Sequence, residues 1–419
     1  MKIGYFVGRF PQISETFVVG QIAAMIERGH GVEIDSTGLP GAAERRDIGS
    51  LQKHVRYMAS PPSGRWPRTV EAGRIAAKWG LRSPGVVFES LNPFRYGRDA
   101  LNFSILRERL PLAWRRQAYD VIHCHFAPNA LRALALRDIG IIRGPLLTTF
   151  HGYDANWLPR LYGKRIYRRL FHRGDFYTVG SEFMRNRIVS LGAPADRIVK
   201  LPMGVDLRRF KFIPRSLEPG ARLRLLTVAR LNEVKGIEFA LSAVALLVQQ
   251  GLDVEYRIVG EGPLRRHLEA TARRLGIDAQ VHFAGAVLHE RVLSYYENAH
   301  VFLLTGIATD SGEEEGQGVV LAEAQAAGLP VIATRVGGIS ECVPETSAEF
   351  LVPQRDPAAI AEAIADLVGR QSEWEALGRA GRAHVERHFD IVKLNGRLER
   401  VYESLAAGSE PAAVLQSAA

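Results

Sequence analysis

Thiol and metal chemistry have little to work with in this chain. Its two cysteines, Cys124 and Cys342, lie far apart in 419 residues and without metal-ligand spacing. Both are expected as buried free thiols in a reducing cytoplasm. No apolar run approaches the roughly 18–20 residues of a membrane-spanning helix. The run at 3–7 is too short for the core of a signal peptide and reads as a first strand. The loop after it, Gly8-Arg-Phe-Pro-Gln-Ile-Ser14, lacks G-x-G-x-x-G, which argues against a nicotinamide or flavin site at that junction. No long internal repeat is present. What remains, 47% hydrophobic and 24% charged residues, is ordinary for a soluble globular protein and long enough for two domains.

Charge is divided unevenly between the halves. Residues 1–203 hold 31 Lys+Arg against 16 Asp+Glu, a balance of +15, while residues 204–419 hold 23 against 29, a balance of −6. A basic front and an acidic back suggest two domains with different partners. The basic excess is dense across 61–118, an irregular stretch carrying Trp66, Trp79 and Trp114, and in a helical segment at 164–173.

Apolar runs of strand length alternate with helical patterns throughout. Strands are expected at 2–7, 32–36, 121–125, 145–150 and 176–179, then at 223–229, 254–259, 281–284, 300–304 and 331–334. A helix is expected over 15–28 with Ser14 as its N-cap, and others over 129–136, 164–172, 181–191, 264–275 and 289–298. Three more helical segments run from 357 to 406. Pro202, Gly204 and the irregular segment to 219 read as a linker, and 408–419 as a disordered tail. The expected fold is α/β, two doubly wound Rossmann-like domains facing across a cleft. Domain boundaries fall at 1–203 and 204–389, with a last helical segment at about 390–407.

Ligands of such sheets bind beyond the carboxyl ends of the strands. Arg9, His125 and His151 fall there in the first half, and Arg230, the turn Gly260-Glu261-Gly262-Pro263 and Glu315 in the second. The richest stretch runs from Thr305 to Gln325. A buried strand leads through a polar loop into a helix start near Gly318, where free N–H groups and partial positive charge suit an anion. Gly316 and Gly318 permit close approach of a ligand to the backbone. Glu315 and Glu323 frame the site, and carboxylates beside a phosphate suit hydroxyl groups on either side of it. Arg230 and Lys235 suit a diphosphate. Each feature alone has a plainer reading: an acidic loop, two solvated cations, a simple turn, a structural histidine.

Together, Arg230-x4-Lys235, the 260–263 turn, Glu315-x7-Glu323 and Gly337-Gly338 resemble the family 4 retaining glycosyltransferases of the GT-B fold. Phe10-Pro-x-x-Ser-Glu-Thr-Phe17 and Thr149-Phe-His-Gly-Tyr-Asp154 are similar to the branch that builds bacterial exopolysaccharides, including colanic-acid-type enzymes. The resemblance implies transfer of a sugar from a nucleoside diphosphate to a hydroxyl, with retention of configuration. It gives Arg230 and Lys235 the diphosphate, helped by N–H groups at Gln317, Gly318 and Val319, with Gly260 and Glu261 also on the donor side. Glu315 would hold the donor sugar, Glu323 the ribose, and His151 the reacting face. Arg9, Ser14 and His125 fall on the acceptor side. The resemblance also implies that the helix at about 390–407 crosses back to complete the first domain, and Gln317 is a departure, standing where the wider family often has an aromatic residue.

Neither metal nor other cofactor is implied, and no nucleic acid. The implied partners are a nucleotide-sugar and a glycan acceptor, polyprenyl-diphosphate-linked, met in the cytoplasm or at the inner face of the membrane. The Arg- and Trp-bearing segments 61–118 and 164–173 are the expected contact with an anionic membrane surface. Rival readings are an epimerase or phosphorylase of the same architecture and a non-catalytic nucleotide- or glycan-binding protein.

Overall fold

Short apolar runs form the strands of two parallel sheets. Val121–His125, Leu146–Phe150, Val301–Leu304 and Val331–Thr334 are buried at every residue, as strands covered on both faces must be. The structure, a computed structural model, describes residues 1–12, 16–39, 49–58, 64–79, 84–93, 98–101, 103, 106 and 117–409.

The first domain comprises β1 (Lys2–Arg9), α1 (Thr16–Glu27), β2 (Gly31–Gly38), β3 (Val55–Tyr57), α2 (Arg65–Trp79), α3 (Pro84–Ser90), β4 (Gln117–Ala118) and β5 (Val121–His125). It continues with α4 (Ala127–Asp138), β6 (Ile142–Arg143), β7 (Leu146–Phe150), α5 (Tyr153–Tyr162), α6 (Arg168–Arg173), β8 (Phe176–Val179), α7 (Glu182–Ser190) and β9 (Ile198–Lys200). The second opens with β10 (Leu223–Val228), α8 (Ile237–Gln249), β11 (Val254–Val259), α9 (Arg265–Arg274), β12 (Val281–Gly285) and α10 (His289–Asn298). It proceeds through β13 (Val301–Leu304), α11 (Val319–Ala326), β14 (Val331–Thr334), β15 (Leu351–Val352), α12 (Pro357–Gly369) and α13 (Trp374–His388), before the final helix α14 (Ile391–Ala406).

The first sheet has the order β3-β2-β1-β5-β7-β8-β9 and the second β12-β11-β10-β13-β14-β15. In each, the chain winds outward from its first strand and then returns to the other side of it. The order therefore reverses between β1 and β5, and between β10 and β13. At such a reversal the connections leave in opposite directions and open a crevice at the carboxyl ends of the strands. Helices seal the faces. In α8, Ile237, Ala240, Leu241, Val244 and Leu247 are buried, a spacing that lays one stripe on the sheet.

The final helix packs on the first domain rather than the second. Leu394, Leu398, Val401 and Tyr402 join Ile3, Tyr5, Val18 and Ile22 in one core, and the Tyr402 hydroxyl meets those of Tyr5 at 2.8 Å and Nδ1 of His123 at 2.6 Å.

Two local expectations differ from the structure. Residues 164–172 form a 3-10 turn, Lys164–Tyr167, followed by α6. Gly163, at φ +90°, ends α5, and Tyr167 turns inward to donate to the Asp154 carbonyl at 2.7 Å. Within 61–118, read as irregular, α2 and α3 are helices. Ala72 is fully buried in α2 and only Ile75 and Ala76 pack partly beside it, so its apolar stripe is too narrow to register as a period. Trp114 and the tail from 410 lie outside the described residues.

Candidate active site

The first-domain side of the cleft is built where β5 and β7 end. His125 is the last residue of β5 and His151 follows the last residue of β7. Their rings stack at 5.2 Å, with Nδ1 of His125 and Nε2 of His151 3.0 Å apart. Phe17 and Phe126 flank His151 at 5.0 and 4.5 Å. Behind them, Nε2 of His123 meets the Thr149 hydroxyl at 2.7 Å. Burial pushes His123 and His151 down to about 3, and His125 well below the ordinary imidazole value. All three imidazoles are therefore neutral at physiological pH. His125 is only 1% exposed, so it cannot itself touch a ligand, and its contact towards the cleft is with His151. Arg9 lies exposed at the end of β1, and Ser14 is outside the described residues.

Asp154, within α5, holds this arrangement in place. It is fully buried, and its carboxylate accepts the backbone N–H groups of Ala127 at 2.9 Å, His151 at 3.0 Å and Gly152 at 3.2 Å. One side chain thus pins the loops that follow β5 and β7. Burial lifts its carboxyl to about 6, while the backbone donors pull the other way.

On the second-domain side, Lys235 is ion-paired with Glu315, both side chains being mostly buried. Arg230 is exposed beyond β10. Its neighbour Leu231 donates to the Glu261 carbonyl at 3.0 Å, joining the loops after β10 and β11. Gly260 makes this approach possible: at φ +137°, a Cβ there would lie 1.9 Å from the Ala229 carbonyl oxygen. The Glu261 side chain itself pairs with Arg265. Gly337 and Gly338 hold the Glu315 loop, because a Cβ on either would sit within 2.3 Å of the Glu315 or Gly316 carbonyl oxygen. Gly318 caps α11, and Val319 is its first residue.

Glu323, one turn into α11, receives the Tyr296 hydroxyl at 2.7 Å. With Val319, Phe17, Gly204, Arg209 and Leu288 it lines a cavity of about 640 Å³ between the domains. Burial pushes its carboxyl up to about 7, against the Tyr296 hydrogen bond and the Arg209 charge. A raised value means that ionisation of Glu323 opposes folding. That cost is absent below the unfolded value of 4.5 and complete above about 7. Glu323→Gln, which cannot ionise, should therefore gain melting temperature over the native protein at pH 8 but little at pH 5. An equal difference at both pH values would show that Glu323 is not held this way.

The two halves are clamped at the cleft floor. The Gln317 amide accepts the Met203 N–H at 2.8 Å and donates to the Met203 carbonyl at 3.0 Å. The Ser181 hydroxyl donates to the Gly316 carbonyl at 2.7 Å, and Asn156 to that of Glu314 at 3.2 Å. Glu341 accepts the Glu182 and Phe183 N–H groups at 2.9 and 3.0 Å, a carboxylate at a helix N-terminus. The Gln317 side chain is thus spent on closure, leaving its backbone as the part that can face a ligand. Gln317→Ala should loosen the clamp: small-angle scattering should show a larger radius of gyration and transfer should fall severalfold. Unchanged scattering and activity together would exclude a closing role.

Sequence profiles match both halves. The family described as Glycosyltransferase Family 4 matches residues 14–209, and that described as Glycosyl transferases group 1 matches residues 222–370. The chain belongs to the family 4 glycosyltransferases. Relatives of this glycosyltransferase include the putative colanic acid biosynthesis glycosyltransferase WcaL of Escherichia coli K12 and of Salmonella typhimurium LT2. Each is 32% identical, with 97% of this chain and all of the relative covered. The amylovoran biosynthesis glycosyltransferase AmsK of Erwinia amylovora is 30% identical, with 97% and 100% covered. Among solved structures, Anabaena HepE in complex with UDP and glucose superposes with a TM-score of 0.69 at 17% identity, covering 97% of this chain and 100% of HepE. WaaG, a glycosyltransferase involved in lipopolysaccharide biosynthesis, gives 0.61 at 18%, covering 97% and 99%. These superpositions show that the glycosyltransferase shares the GT-B architecture of two facing α/β domains.

Several residues that build the site escaped sequence reasoning. Asp154 follows His151 by three positions, and an acid at a helix start was the available signal. The Gln317 clamp and the Tyr296–Glu323 contact join distant segments and had none. Among the described residues, no helix is long and apolar enough to cross a membrane, and no group of three His, Cys, Asp or Glu could hold a metal ion.

Proposed function

We propose that this glycosyltransferase moves a sugar from a nucleoside diphosphate-sugar to a hydroxyl of a lipid-linked glycan in exopolysaccharide biosynthesis, retaining the anomeric configuration. The observation that carries the reading is the Lys235–Glu315 pair, beside the start of α11. A diphosphate arriving at that helix end competes for the Lys235 ammonium. Its departure frees Glu315 to accept a hydroxyl of the sugar. Glu323, deeper in the cavity, is left for the ribose.

As the glycosidic bond breaks, its electron pair goes to the diphosphate oxygen and the sugar becomes cation-like. Arg230, Lys235 and the free N–H groups of α11 are oriented for that growing charge before the reaction starts, so they favour the transition state over the ground state. The acceptor oxygen bonds to the anomeric carbon on the face the phosphate leaves, and its proton passes to the departing phosphate. No protein nucleophile and no metal ion enters this scheme. A neutral His151 can touch the sugar without opposing its positive charge, and burial keeps it neutral.

The exopolysaccharide role is supported by relatives named for colanic acid and amylovoran biosynthesis. A lipid-linked acceptor would be met at an anionic membrane surface, and Lys164, Arg165 and Arg168 are exposed on the first domain.

The test is a thermal-shift screen of UDP-, GDP- and ADP-sugars, followed by Arg230→Ala and Lys235→Ala. Each substitution should weaken nucleoside diphosphate binding tenfold or more, a loss of roughly 1.5–3 kcal/mol for a charged hydrogen bond. Binding of the bare nucleoside should stay within twofold. Transfer should survive EDTA, and the product anomer, read by NMR, should match the donor. Strict dependence on Mn²⁺ or Mg²⁺ would count against the scheme, and turnover of the donor without acceptor would favour an epimerase.

A further inference from the structure

The outer face of α5 exposes an apolar stripe that the site described above does not use. Tyr153, Leu161 and Tyr162 are 54%, 53% and 57% exposed, although large apolar side chains grouped on a surface usually mark a contact. Tyr153 and the half-buried Trp157 stack at 5.2 Å with their planes 19° apart. Positions 153, 157 and 161 share one side of the helix, while Asp154, Ala155 and Leu158 fill the other. The stripe is about 12 Å long at 1.5 Å per residue, longer than a single sugar ring.

Its placement points to its ligand. The stripe begins two residues beyond His151, at the reacting face. Its flank touches the loop that carries Glu315: Asn156 donates to the Glu314 carbonyl, and Arg160 lies against Gly312, where an added Cβ would clash with it. Burial first, then Tyr162 and the Glu313 carboxylate, raise the Tyr153 phenol above its ordinary value, and Arg160 offsets part of the rise that burial and Glu233 cause in Glu313. Aromatic faces flanked by phenol hydroxyls, a carboxylate and an arginine suit a ligand with apolar ring faces and hydroxylated edges. The Glu313 carboxylate disfavours an anionic bilayer at the Tyr153 end, and the exposed cations Lys164, Arg165 and Arg168 lie past the other end of the helix.

We infer that the exposed face of α5, from Tyr153 through Trp157 to Leu161, is an acceptor subsite on which successive sugar rings of the glycan stack as its terminal hydroxyl enters beside His151. The inference rests on the transferase reading above. Stacking of rigid rings costs little side-chain entropy, so the platform would set acceptor affinity without touching the donor.

The full chain is to be tested by saturation-transfer NMR with methyl glycosides of gluco-, galacto-, manno- and fuco-configured disaccharides, alongside titrations with UDP and GDP. At least one disaccharide should bind the native protein. Tyr153→Ala and Trp157→Ala should weaken it tenfold or more, Trp157→Phe should restore most of the loss, and nucleotide affinity should stay within twofold. Tyr153 is more than half exposed, so its substitution is expected to fold even if that of Trp157 does not. Undiminished disaccharide binding by Tyr153→Ala overturns the proposal, as does a native protein that binds nucleotide but no disaccharide. Co-sedimentation with phosphatidylglycerol vesicles that both alanine variants lose, at unchanged disaccharide affinity, makes the stripe a membrane contact and likewise overturns it. A native protein that binds neither UDP nor GDP instead sinks the transferase reading, on a measurement in which α5 takes no part.

Discussion

Glu315→Gln should lower the rate of transfer at least tenfold and leave the fold intact. The substitution keeps the shape of the side chain but removes its charge, turning a charge-assisted hydrogen bond to a sugar hydroxyl into a neutral one. Bonds to charged groups contribute about 1.5–3 kcal/mol, and each 1.4 kcal/mol is tenfold in rate. Glu315 is also the partner of Lys235, which gives the experiment a second signature. Without its carboxylate, Lys235 is free for the diphosphate from the start, so nucleoside diphosphate should bind as tightly as to the native protein or tighter while turnover falls. The substituted amide oxygen can still accept from the mostly buried Lys235 but no longer neutralises it, so the melting temperature should fall by about 3–6 °C without loss of the fold. Activity within twofold of native would remove Glu315 from the site. A parallel loss of nucleotide affinity would mean that it shapes the pocket rather than contacting the sugar.

Asp154→Ala should be strongly destabilising. It leaves the N–H groups of Ala127, His151 and Gly152 buried without an acceptor, at about 1–3 kcal/mol for each orphaned group. Neighbouring losses are not additive, so a total of about 3–5 kcal/mol is expected, at the upper end for a point mutation. Urea unfolding followed by far-UV circular dichroism would measure it. Because Asp154 pins the loop bearing His151, any folded fraction should transfer slowly while binding nucleotide normally. Asp154→Asn keeps one acceptor oxygen and should cost less than the alanine variant. If Asp154→Ala matched the native protein in both stability and turnover, the pinning role assigned to this carboxylate would be wrong.

Much of this architecture was legible before any coordinates. A run such as Val301–Leu304 is apolar throughout, and Val121–His125 mixes two histidines into a short run of strand length, which is how strands buried on both faces look. The helix periods between them are equally local, and strands alternating with helices leave few topologies besides a doubly wound sheet. Polar residues following such strands were therefore readable as candidates for the cleft. The edge strands β3, β9 and β15 were not, because two or three residues carry no period.

What the linear chain determined on its own was whatever depends on near neighbours: element type, strand direction, the helix start at Gly318, the loops bearing Glu315 and His151. Tertiary structure alone decided which distant groups share one environment. Lys235 sits on Glu315 across 80 positions, Gln317 clasps Met203 across 114, and Tyr402 reaches His123 across 279. Burial, and with it the neutrality of the three histidines and the raised carboxyls of Asp154 and Glu323, was also decided there. Desolvation depends on every atom packed around a group, and those atoms come from the whole chain rather than from its own segment.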